Sequence, residues 1–347
     1  MSKNYEKLLS SLGEWDAALI SSKANIFYYS GFTSEDACLY ISRKRRLLLT
    51  DSRYTLQAKE QAPDFEVIIE KGIEEISKTE EKVIFIEEDY ITAGKKRKLA
   101  EKLEDKDLVF GGDIISAPRR TKTDAEIKKI HEAERLGDHA FSHILKYIKP
   151  GVTEKEVALE LEYFMKKAGA SSIAFDTICA SGVRSAMPHG CASDKIISSG
   201  EFVTLDYGCV LEGYCSDMTR TIVVGSANDR QKEIYNIVLK AQAEALSKIS
   251  CGMECRTADK IARDIIDGFG YGKNFGHSLG HSLGLEVHEG PNLSPRSEDT
   301  LEIGNVFSVE PGIYIEGFGG VRIEDICAIT PDGVINLTGS PKELIEI

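Results

Sequence analysis

The sequence predicts a protein of two domains, in which a smaller α/β domain is followed by a larger α+β domain. A chain of 347 residues is longer than a single hydrophobic core usually supports. Short apolar runs alternate with helical patterns in the first third of the chain, as they do in α/β domains. In the remaining two thirds, a helix followed by two strands occurs twice, which predicts two related halves.

The composition argues against two classes of partner. The chain carries 43 basic and 56 acidic residues, a net charge of −13, whereas nucleic-acid binding requires a basic surface. A membrane span would need about 18 consecutive apolar residues, and the sequence contains no such run. The N-terminus lacks a signal-peptide pattern and the eight cysteines lack zinc-ribbon spacing. We therefore expect a cytoplasmic protein with reduced thiols.

In the first domain, five short apolar runs with polar ends predict strands. They are Asp16–Ile20, Cys38–Ser42, Arg46–Thr50, Glu66–Glu70 and Lys82–Glu87. Helical patterns lie between and after them, at Tyr54–Gln61 and Ala93–Leu103. This part contains no cluster of metal-binding residue types, so we expect its charged residues to be solvated.

The domain boundary is predicted between residues 115 and 123, which gives domains of residues 1–120 and 121–347. Pro118 interrupts the pattern there, and a long helix is predicted from about Asp124 to Ile148. Thr123 and Glu126 have the spacing of a capping box at its start. Three histidines on this helix lack acidic partners at matching spacing, so we expect them to pack or face solvent. They are His131, His139 and His143.

The second domain contains an internal repeat. One amphipathic helix is predicted from Gly151 to Gly169, and another starts 101 residues later, at Gly252, and ends near Gly268. Each is followed by an apolar strand that ends in a carboxylate, one further residue and a glycine. These strands are Phe202–Gly208, which contains Asp206, and Val306–Gly312, which contains Glu310.

A second carboxylate follows each of these two acids, in what we predict to be a further strand. Asp217 comes 11 residues after Asp206, and Glu324 comes 14 residues after Glu310. If the two halves face each other, the four carboxylates meet in one place. A repeat of this kind can also preserve nothing more than a packing scheme.

Four carboxylates in apolar strands would repel each other, and only Arg220 and Arg322 lie nearby in sequence. Two divalent metal ions are the simplest compensation. A histidine-rich run, residues 274–289, can add an imidazole to the ligand set from His277, His281 or His288. Such a set, mostly oxygen, suits Mn²⁺, Co²⁺ or Zn²⁺, and two such ions can activate water and polarise a carbonyl. The pattern therefore predicts hydrolysis.

Simpler interpretations of single motifs remain open at this point. Asp206 can be an ordinary strand end, and Asp217 can pair with Arg220. The spacing of His277 and His281 matches the helical zinc-protease motif, but Gly280 disfavours a helix and a serine replaces the required glutamate. The glycine triplets elsewhere lack the strand–turn–helix context of a dinucleotide-binding site.

Together these motifs resemble the pita-bread metallopeptidases, in particular the branch of Xaa-Pro aminopeptidase (aminopeptidase P) and Xaa-Pro dipeptidase (prolidase). In the second domain the resemblance rests on Leu205–Gly208, Ser216–Thr221, Gly276–His288, Ser308–Tyr314 and Gly320–Asp325. In the first domain it rests on Asn25–Phe32 and Thr50–Tyr54. The resemblance implies a creatinase-like (RNase H-like) α/β N-terminal domain and an α+β pita-bread domain with a pseudo-twofold repeat.

Carried over position by position, the resemblance implies the metal ligands. Asp206 binds one metal ion, and Asp217 and Glu324 bridge two. His281 and Glu310 complete the second metal site, and Glu310 also transfers a proton for the attacking water. No ligand departs from the family pattern, which argues against the metal-free creatinases and a catalytically inactive peptide- or protein-binding module.

The resemblance also implies residues on the substrate side. His189 lines the substrate site and stabilises the oxyanion, His288 contacts the scissile peptide, and His277 shapes the proline pocket. Arg322 orients the carboxylates from behind. The glycines of the histidine run are expected to let backbone and substrate approach the metals.

The expected function is hydrolysis of the bond between an N-terminal residue and a following proline. A tertiary amide at that position lacks the N–H that ordinary exopeptidases use. Resemblance to short bacterial forms favours an Xaa-Pro aminopeptidase, and the alternative is a prolidase that acts mainly on dipeptides. Phosphoesterase activity is a more remote alternative. We expect two divalent ions, foremost Mn²⁺, with Co²⁺ or Zn²⁺ as alternatives, and a homodimer as in the family.

Overall fold

The computed structural model describes residues 4–347, which form two compact units, one ending at Arg119 and one beginning at Arg120. The first unit contains a mixed six-stranded sheet in the order β4-β3-β2-β1-β5-β6. Its strands are β1 (Asp16–Ile20), β2 (Cys38–Ser42), β3 (Arg46–Thr50), β4 (Glu66–Ile69), β5 (Val83–Ile86) and β6 (Asp107–Phe110). Its helices are α1 (Tyr5–Ser11), α2 (Lys23–Ser30), α3 (Thr55–Gln61), α4 (Gly72–Ser77), α5 (Ala93–Lys102) and α6 (Gly112–Ser116).

The five strands predicted for this unit are present, and their ends agree to within one residue. They are identifiable because central strands such as β1 bury side chains on both faces and therefore read as continuous apolar runs. Strand β6 was not predicted. It lies at the sheet edge and most of its side chains are exposed, and its apolar run covers only residues 108–110.

The second unit is built on four long helices. They are α7 (Asp124–Ile144), α8 (Glu154–Lys167), α9 (Asp229–Lys248) and α10 (Cys255–Gly268). The predicted capping box of Thr123 and Glu126 is present at the start of α7. The predicted end of α7 at Ile148 was wrong, because the chain leaves the helix after Ile144 as it approaches Pro150. No helix within residues 4–347 has the length and apolar character needed to cross a membrane.

The strands of the second unit form four small sheets, in the orders β12-β9-β8, β11-β10-β7, β14-β13-β15-β18-β19 and β16-β17. The strands before the histidine run are β7 (Ser172–Ile173), β8 (Ile178–Ser181), β9 (Glu201–Tyr207), β10 (Cys209–Leu211), β11 (Tyr214–Cys215) and β12 (Met218–Val224). The remainder are β13 (Gly280–Ser282), β14 (Glu289–Leu293), β15 (Val306–Val309), β16 (Gly312–Ile315), β17 (Gly319–Arg322), β18 (Asp325–Thr330) and β19 (Gly333–Asn336).

The internal repeat corresponds to two helix pairs, each covering its own sheet. Helices α7 and α8 share one apolar core with β9 and β12, and α9 and α10 share another with β15 and β18. The two halves meet along β12. There the Glu324 amide donates to the Thr219 carbonyl at 3.1 Å, and the Thr221 hydroxyl donates to the Arg322 carbonyl at 3.0 Å. This junction brings acids from both halves side by side.

The prediction that all four acids lie within strands was wrong for three of them. Asp206 lies in β9, but Glu310 directly follows β15, and Asp217 and Glu324 directly precede β12 and β18. The ladder is interrupted at these points for identifiable reasons. The Asp217 amide donates to a side chain, at 2.7 Å from a Glu134 carboxylate oxygen, and the residue after Glu310 is a proline, which has no N–H.

Glycine is required where β13 approaches β15. A Cβ on Gly280 would lie 2.0 Å from the Ser308 carbonyl oxygen, and that contact is with fixed backbone. Gly276 has no atom within 4 Å of its Cβ position. Glycine is therefore required at position 280 because two strands approach each other there. That the glycines of the histidine run let backbone and substrate approach metal ions stays a prediction.

We expect Gly280→Ala to destabilise the second unit by about 2 kcal/mol, because β13 must move away from β15 to admit the methyl group. Gly276→Ala adds the same group in open space and serves as the matched control. The midpoint of denaturant-induced unfolding measures both. Equal midpoints for the two variants would contradict the close-approach explanation.

Candidate active site

An open cavity of about 490 Å³ in the second unit is lined by every residue to which the sequence analysis gave a role. These residues are Asp206, Asp217, Glu310, Glu324, His189, His277, His281, His288 and Arg322. The structure thus brings together side chains that are up to 135 positions apart in the sequence, from His189 to Glu324.

The centre of the cavity is a compact group of two carboxylates and one imidazole. Ligand atoms of Asp217, His281 and Glu324 all lie within 4.8 Å of one another. The Nε2 atom of His281 is 3.6 Å from an Asp217 oxygen and 3.4 Å from a Glu310 oxygen. Asp217 and Glu324 are 4% and 2% exposed, so solvent screens their charges poorly.

The orientation of His281 suits a metal ligand. Its Nδ1 lies 3.2 Å from the Ser282 carbonyl, an acceptor, so Nδ1 carries the proton and Nε2 presents its lone pair. Burial lowers the pKa of His281, which favours this neutral form. A lone pair directed at two carboxylates is unfavourable unless a cation lies between them.

The pKa values of the acids also indicate that a cation would stabilise this group. Burial, followed by the negative charges of Glu324 and the other acids, raises the pKa of Asp217 well above its usual range. Burial and the charges of Glu310 and Asp206 do the same for Glu324. Burial raises the pKa of Glu310 to about 7, with Arg322 opposing the shift. A divalent cation would stabilise the ionised forms of all these groups.

Asp206 lies at the side of the compact group. Its Oδ2 accepts from Arg322 at 2.5 Å, while its buried Oδ1 has no hydrogen-bond partner among residues 4–347. A buried carboxylate oxygen without a donor is rare in folded proteins. Four carboxylates and one imidazole form the oxygen-rich donor set that Mn²⁺, Co²⁺ and Zn²⁺ accept. The residues present therefore fit a divalent metal centre.

A hydrogen-bonded chain leads from Asp206 to the histidine run. Arg322 donates to Asp206 and, at 2.7 Å, to the Tyr314 hydroxyl, which lies 2.9 Å from Nε2 of His277. Burial and the charge of Arg322 lower the pKa of His277 to about 4, so the ring is neutral and Nε2 accepts from Tyr314. His277 is therefore held by this chain rather than by the acids.

The two remaining histidines lie on the open side. His288 is exposed, and its ring centroid is 4.3 Å from that of His281. His189 is also exposed and lines the same cavity. Neither ring has a hydrogen-bond partner among the described residues, so both present free nitrogen atoms to a molecule in the cavity.

Two hydroxyl residues that position the acids were missed by the sequence analysis. Thr219 donates to Glu324 at 2.7 Å and accepts from Nε of Arg322 at 3.0 Å. Ser308 donates to Glu310 at 3.0 Å and accepts from the His281 amide at 3.0 Å. Each hydroxyl stands two residues from a predicted ligand, the spacing that places side chains on one face of an extended chain. That spacing was the available signal.

Other polar partners carried no such signal. Glu134 of α7 accepts the Asp217 amide, and Tyr314 joins Arg322 to His277, but neither is distinguished by local sequence. The possible pair of Asp217 with Arg220 is not formed. Arg220 instead pairs with Asp325 at 2.8 Å, behind the acid group.

Two family models match the chain. Metallopeptidase family M24 matches residues 128–331, and the Creatinase/Prolidase N-terminal domain matches residues 3–121. The first match covers the compact group and its neighbours.

Named relatives match nearly the whole chain. The Xaa-Pro dipeptidase of Pyrococcus horikoshii is 42% identical over 342 residues, which cover 95% of this chain and 94% of that protein. The structure of an Xaa-Pro dipeptidase from Bacillus anthracis is 45% identical, covers 99% of each chain and has a TM-score of 0.95. The structure of an X-Pro aminopeptidase from Thermotoga maritima is 42% identical, covers 99% of each chain and has a TM-score of 0.92.

We expect Asp217→Asn to bind fewer divalent ions per chain than the wild type while remaining folded, because an amide replaces a charged ligand. The rise in melting temperature on adding Mn²⁺ should shrink accordingly. Elemental analysis and thermal melts measure the two effects. Asp194→Asn, which changes an exposed carboxylate paired with Lys155, is the matched control. Unchanged metal content in Asp217→Asn would contradict the assignment.

The raised pKa of Glu310 predicts the pH dependence of the chelator-treated protein. In the folded state the Glu310 carboxyl has a pKa of about 7, above its ordinary value of 4.5, so it keeps its proton to a higher pH. The associated stability is therefore complete below about pH 4.5 and is lost as pH rises through about 7. Wild type should lose stability relative to Glu310→Gln between about pH 4.5 and about pH 7.5. If the melting temperatures of the two proteins changed equally with pH over this range, the raised pKa of Glu310 would be contradicted.

Proposed function

The chain belongs to metallopeptidase family M24, and from this premise we propose that it is an Xaa-Pro dipeptidase. Two of the three relatives described above carry that name, and their similarity extends over both units. The resemblance of the sequence to short bacterial forms favours an Xaa-Pro aminopeptidase, whereas the named relatives support the dipeptidase alternative better. The observation that carries the hydrolytic assignment is the buried group of Asp217, His281 and Glu324, which fits a metal centre.

We propose that two divalent ions are held by Asp206, Asp217, His281, Glu310 and Glu324. When bound, they supply positive charge that polarises the scissile carbonyl and lowers the pKa of water. Mn²⁺ is the foremost candidate, with Co²⁺ and Zn²⁺ as alternatives, because the donor set is mostly oxygen with one imidazole nitrogen.

We assign to Glu310 the transfer of the proton that the reaction requires. Water adds its oxygen to the carbonyl carbon, the C–N bond to proline breaks, and a proton must reach the proline nitrogen. Glu310 accepts from Ser308 through one oxygen, which orients its carboxylate toward His281. It receives the proton from water and delivers it to the leaving nitrogen, as a general base and then a general acid.

The exposed histidines and the buried arginine have different tasks. We assign His189 and His288 to the carbonyl of the substrate, because both rings offer free nitrogen atoms at the cavity surface. Hydrogen bonds from such groups stabilise the oxyanion as charge develops on it. Arg322 and Tyr314 hold Asp206 in place and keep His277 neutral beside the cavity.

One observation favours the second candidate, an Xaa-Pro aminopeptidase acting on longer peptides. A dipeptide carries a carboxylate directly on its proline, and that charge needs a partner. Arg322 is the only lysine or arginine among the described residues that line the cavity. Four of its five N–H donors are used, by Asp206, Tyr314, Thr219 and the Pro188 carbonyl. A longer peptide would carry its carboxylate beyond this lining.

We propose that residues 1–120 and 121–347 are the creatinase-like and the catalytic domain, respectively. The family matches and the two compact units support this division. The homodimer and the cytoplasmic location expected from the sequence stay predictions.

Hydrolysis of Ala-Pro and of Ala-Pro-Ala-Ala by one preparation tests the proposal. We expect turnover of the dipeptide at the higher kcat/KM, loss of activity after dialysis against chelator, and recovery with Mn²⁺. Ala-Ala and p-nitrophenyl phosphate serve as control substrates that lack the proline and the peptide bond, respectively. A higher kcat/KM for the tetrapeptide would favour the aminopeptidase, and full activity in metal-free protein would end both candidates.

A further inference from the structure

One carboxylate in the cavity lining does not belong to the metal-binding group. Of the five acidic residues that line the cavity, four are the proposed metal ligands and the fifth is Asp176. Asp176 is exposed and, among residues 4–347, forms no hydrogen bond or ion pair through its side chain. It is therefore an uncompensated negative charge at the surface of the cavity.

A local irregularity of the sheet turns Asp176 toward the cavity. Strand β8 pairs Ile178 with Asp206, while the Ala174 amide donates to the Gly208 carbonyl at 3.0 Å. Three residues, 175–177, thus stand opposite the single residue 207. The two extra residues leave the ladder as a bulge, a device that often redirects side chains beside active sites. Phe175 and Asp176 both line the cavity as a result.

The surroundings of Asp176 suit a cation attached to an apolar stem. Phe175, the residue before it, and Ile178, two residues after it, also line the cavity. Apolar groups of this kind can hold the methylene chain of an amphipathic side chain while its charged end meets a carboxylate. Among the described residues, the lining contains no lysine and one arginine, Arg322, which donates to Asp206 and Tyr314.

We propose that Asp176 binds a positive charge carried by the N-terminal residue of the substrate. This inference rests on the proposed function, in which that residue is released. Two sources have the same chemistry: the α-ammonium group, which every such substrate carries near neutral pH, and the side chain of an N-terminal lysine or arginine. Asp176 is a specificity-determining residue that pairs with this cation and takes no part in bond cleavage.

Kinetics of Asp176→Asn on two dipeptides distinguish the two sources. Lys-Pro and norleucine-Pro have side chains of similar length, and only the first ends in an ammonium group. We expect the variant to lose up to about fivefold in kcat/KM for Lys-Pro, mainly through a higher KM, which is the range measured for one exposed charge pair. If norleucine-Pro is unaffected, the side chain is the cation. An equal loss for both peptides identifies the α-ammonium group.

Controls separate this inference from the proposed function. Asp194→Asn removes an exposed carboxylate elsewhere in the unit and should leave both peptides unaffected. Added KCl should shrink the loss caused by Asp176→Asn, because salt screens an exposed pair. Unchanged kcat/KM for both peptides in Asp176→Asn would overturn the assignment while leaving the peptidase proposal intact. Failure of the wild type to cleave either dipeptide would instead overturn the proposed function, and this assignment with it.

Discussion

The second unit depends on one electrostatic constraint: four carboxylates must share a small, poorly solvated volume. Burial and mutual repulsion raise the pKa values of Asp217 and Glu324 well above their usual range. Such a group costs free energy unless a cation compensates it. A deformable scaffold would relieve the repulsion by separating the acids. The scaffold here keeps the acids together, because Asp217 and Glu324 lie on opposite sides of the junction between the two halves. At this junction Thr219 accepts from the amide of Glu324 and donates to its carboxylate.

A second set of buried charges behind the acids provides that rigidity without adding repulsion. Arg220 donates to the Asp325 carboxylate and to the carbonyls of Ser340 and Pro341. Lys342 reaches the same carboxylate at 2.7 Å, and burial notwithstanding, the pKa of Asp325 is lowered by these two cations. The paired network ties the C-terminal segment to β12 and β18, the strands that directly follow Asp217 and Glu324. Fully satisfied networks of this kind rigidify a core. The residues that hold the four acids in position are therefore different from the acids whose charges repel each other.

The sequence predicted what depends on local chemistry and repeated spacing. Strands β1 to β5, the Thr123 capping box and the repeat of acids are local patterns, and the structure contains them. Features set by tertiary contacts were missed or placed wrongly. Edge strand β6 has an apolar run of only three residues and exposes most of its side chains. The ladder breaks at Asp217 and Glu310, and Arg220 pairs with Asp325 rather than with Asp217, the acid three residues away. Which residue pairs with a buried charge depends on which strands pack together in the fold. The distance between two residues in the sequence does not predict that packing.

In the proposed function, substrate selection depends on the charges that the proposed metal ligands leave free. Arg322 donates to Asp206 and Tyr314, and the described residues of the cavity lining include no other lysine or arginine to pair with a peptide carboxylate. Asp176 stands apart from the group, on a bulge, and its charge remains available. The lining is therefore asymmetric: it can recognise positive charge at the N-terminal residue of a substrate but offers no matching recognition of negative charge at proline. It follows that charge preference at the N-terminal residue is encoded within this cavity wall, whereas a preference for dipeptides over longer peptides requires a contact outside it.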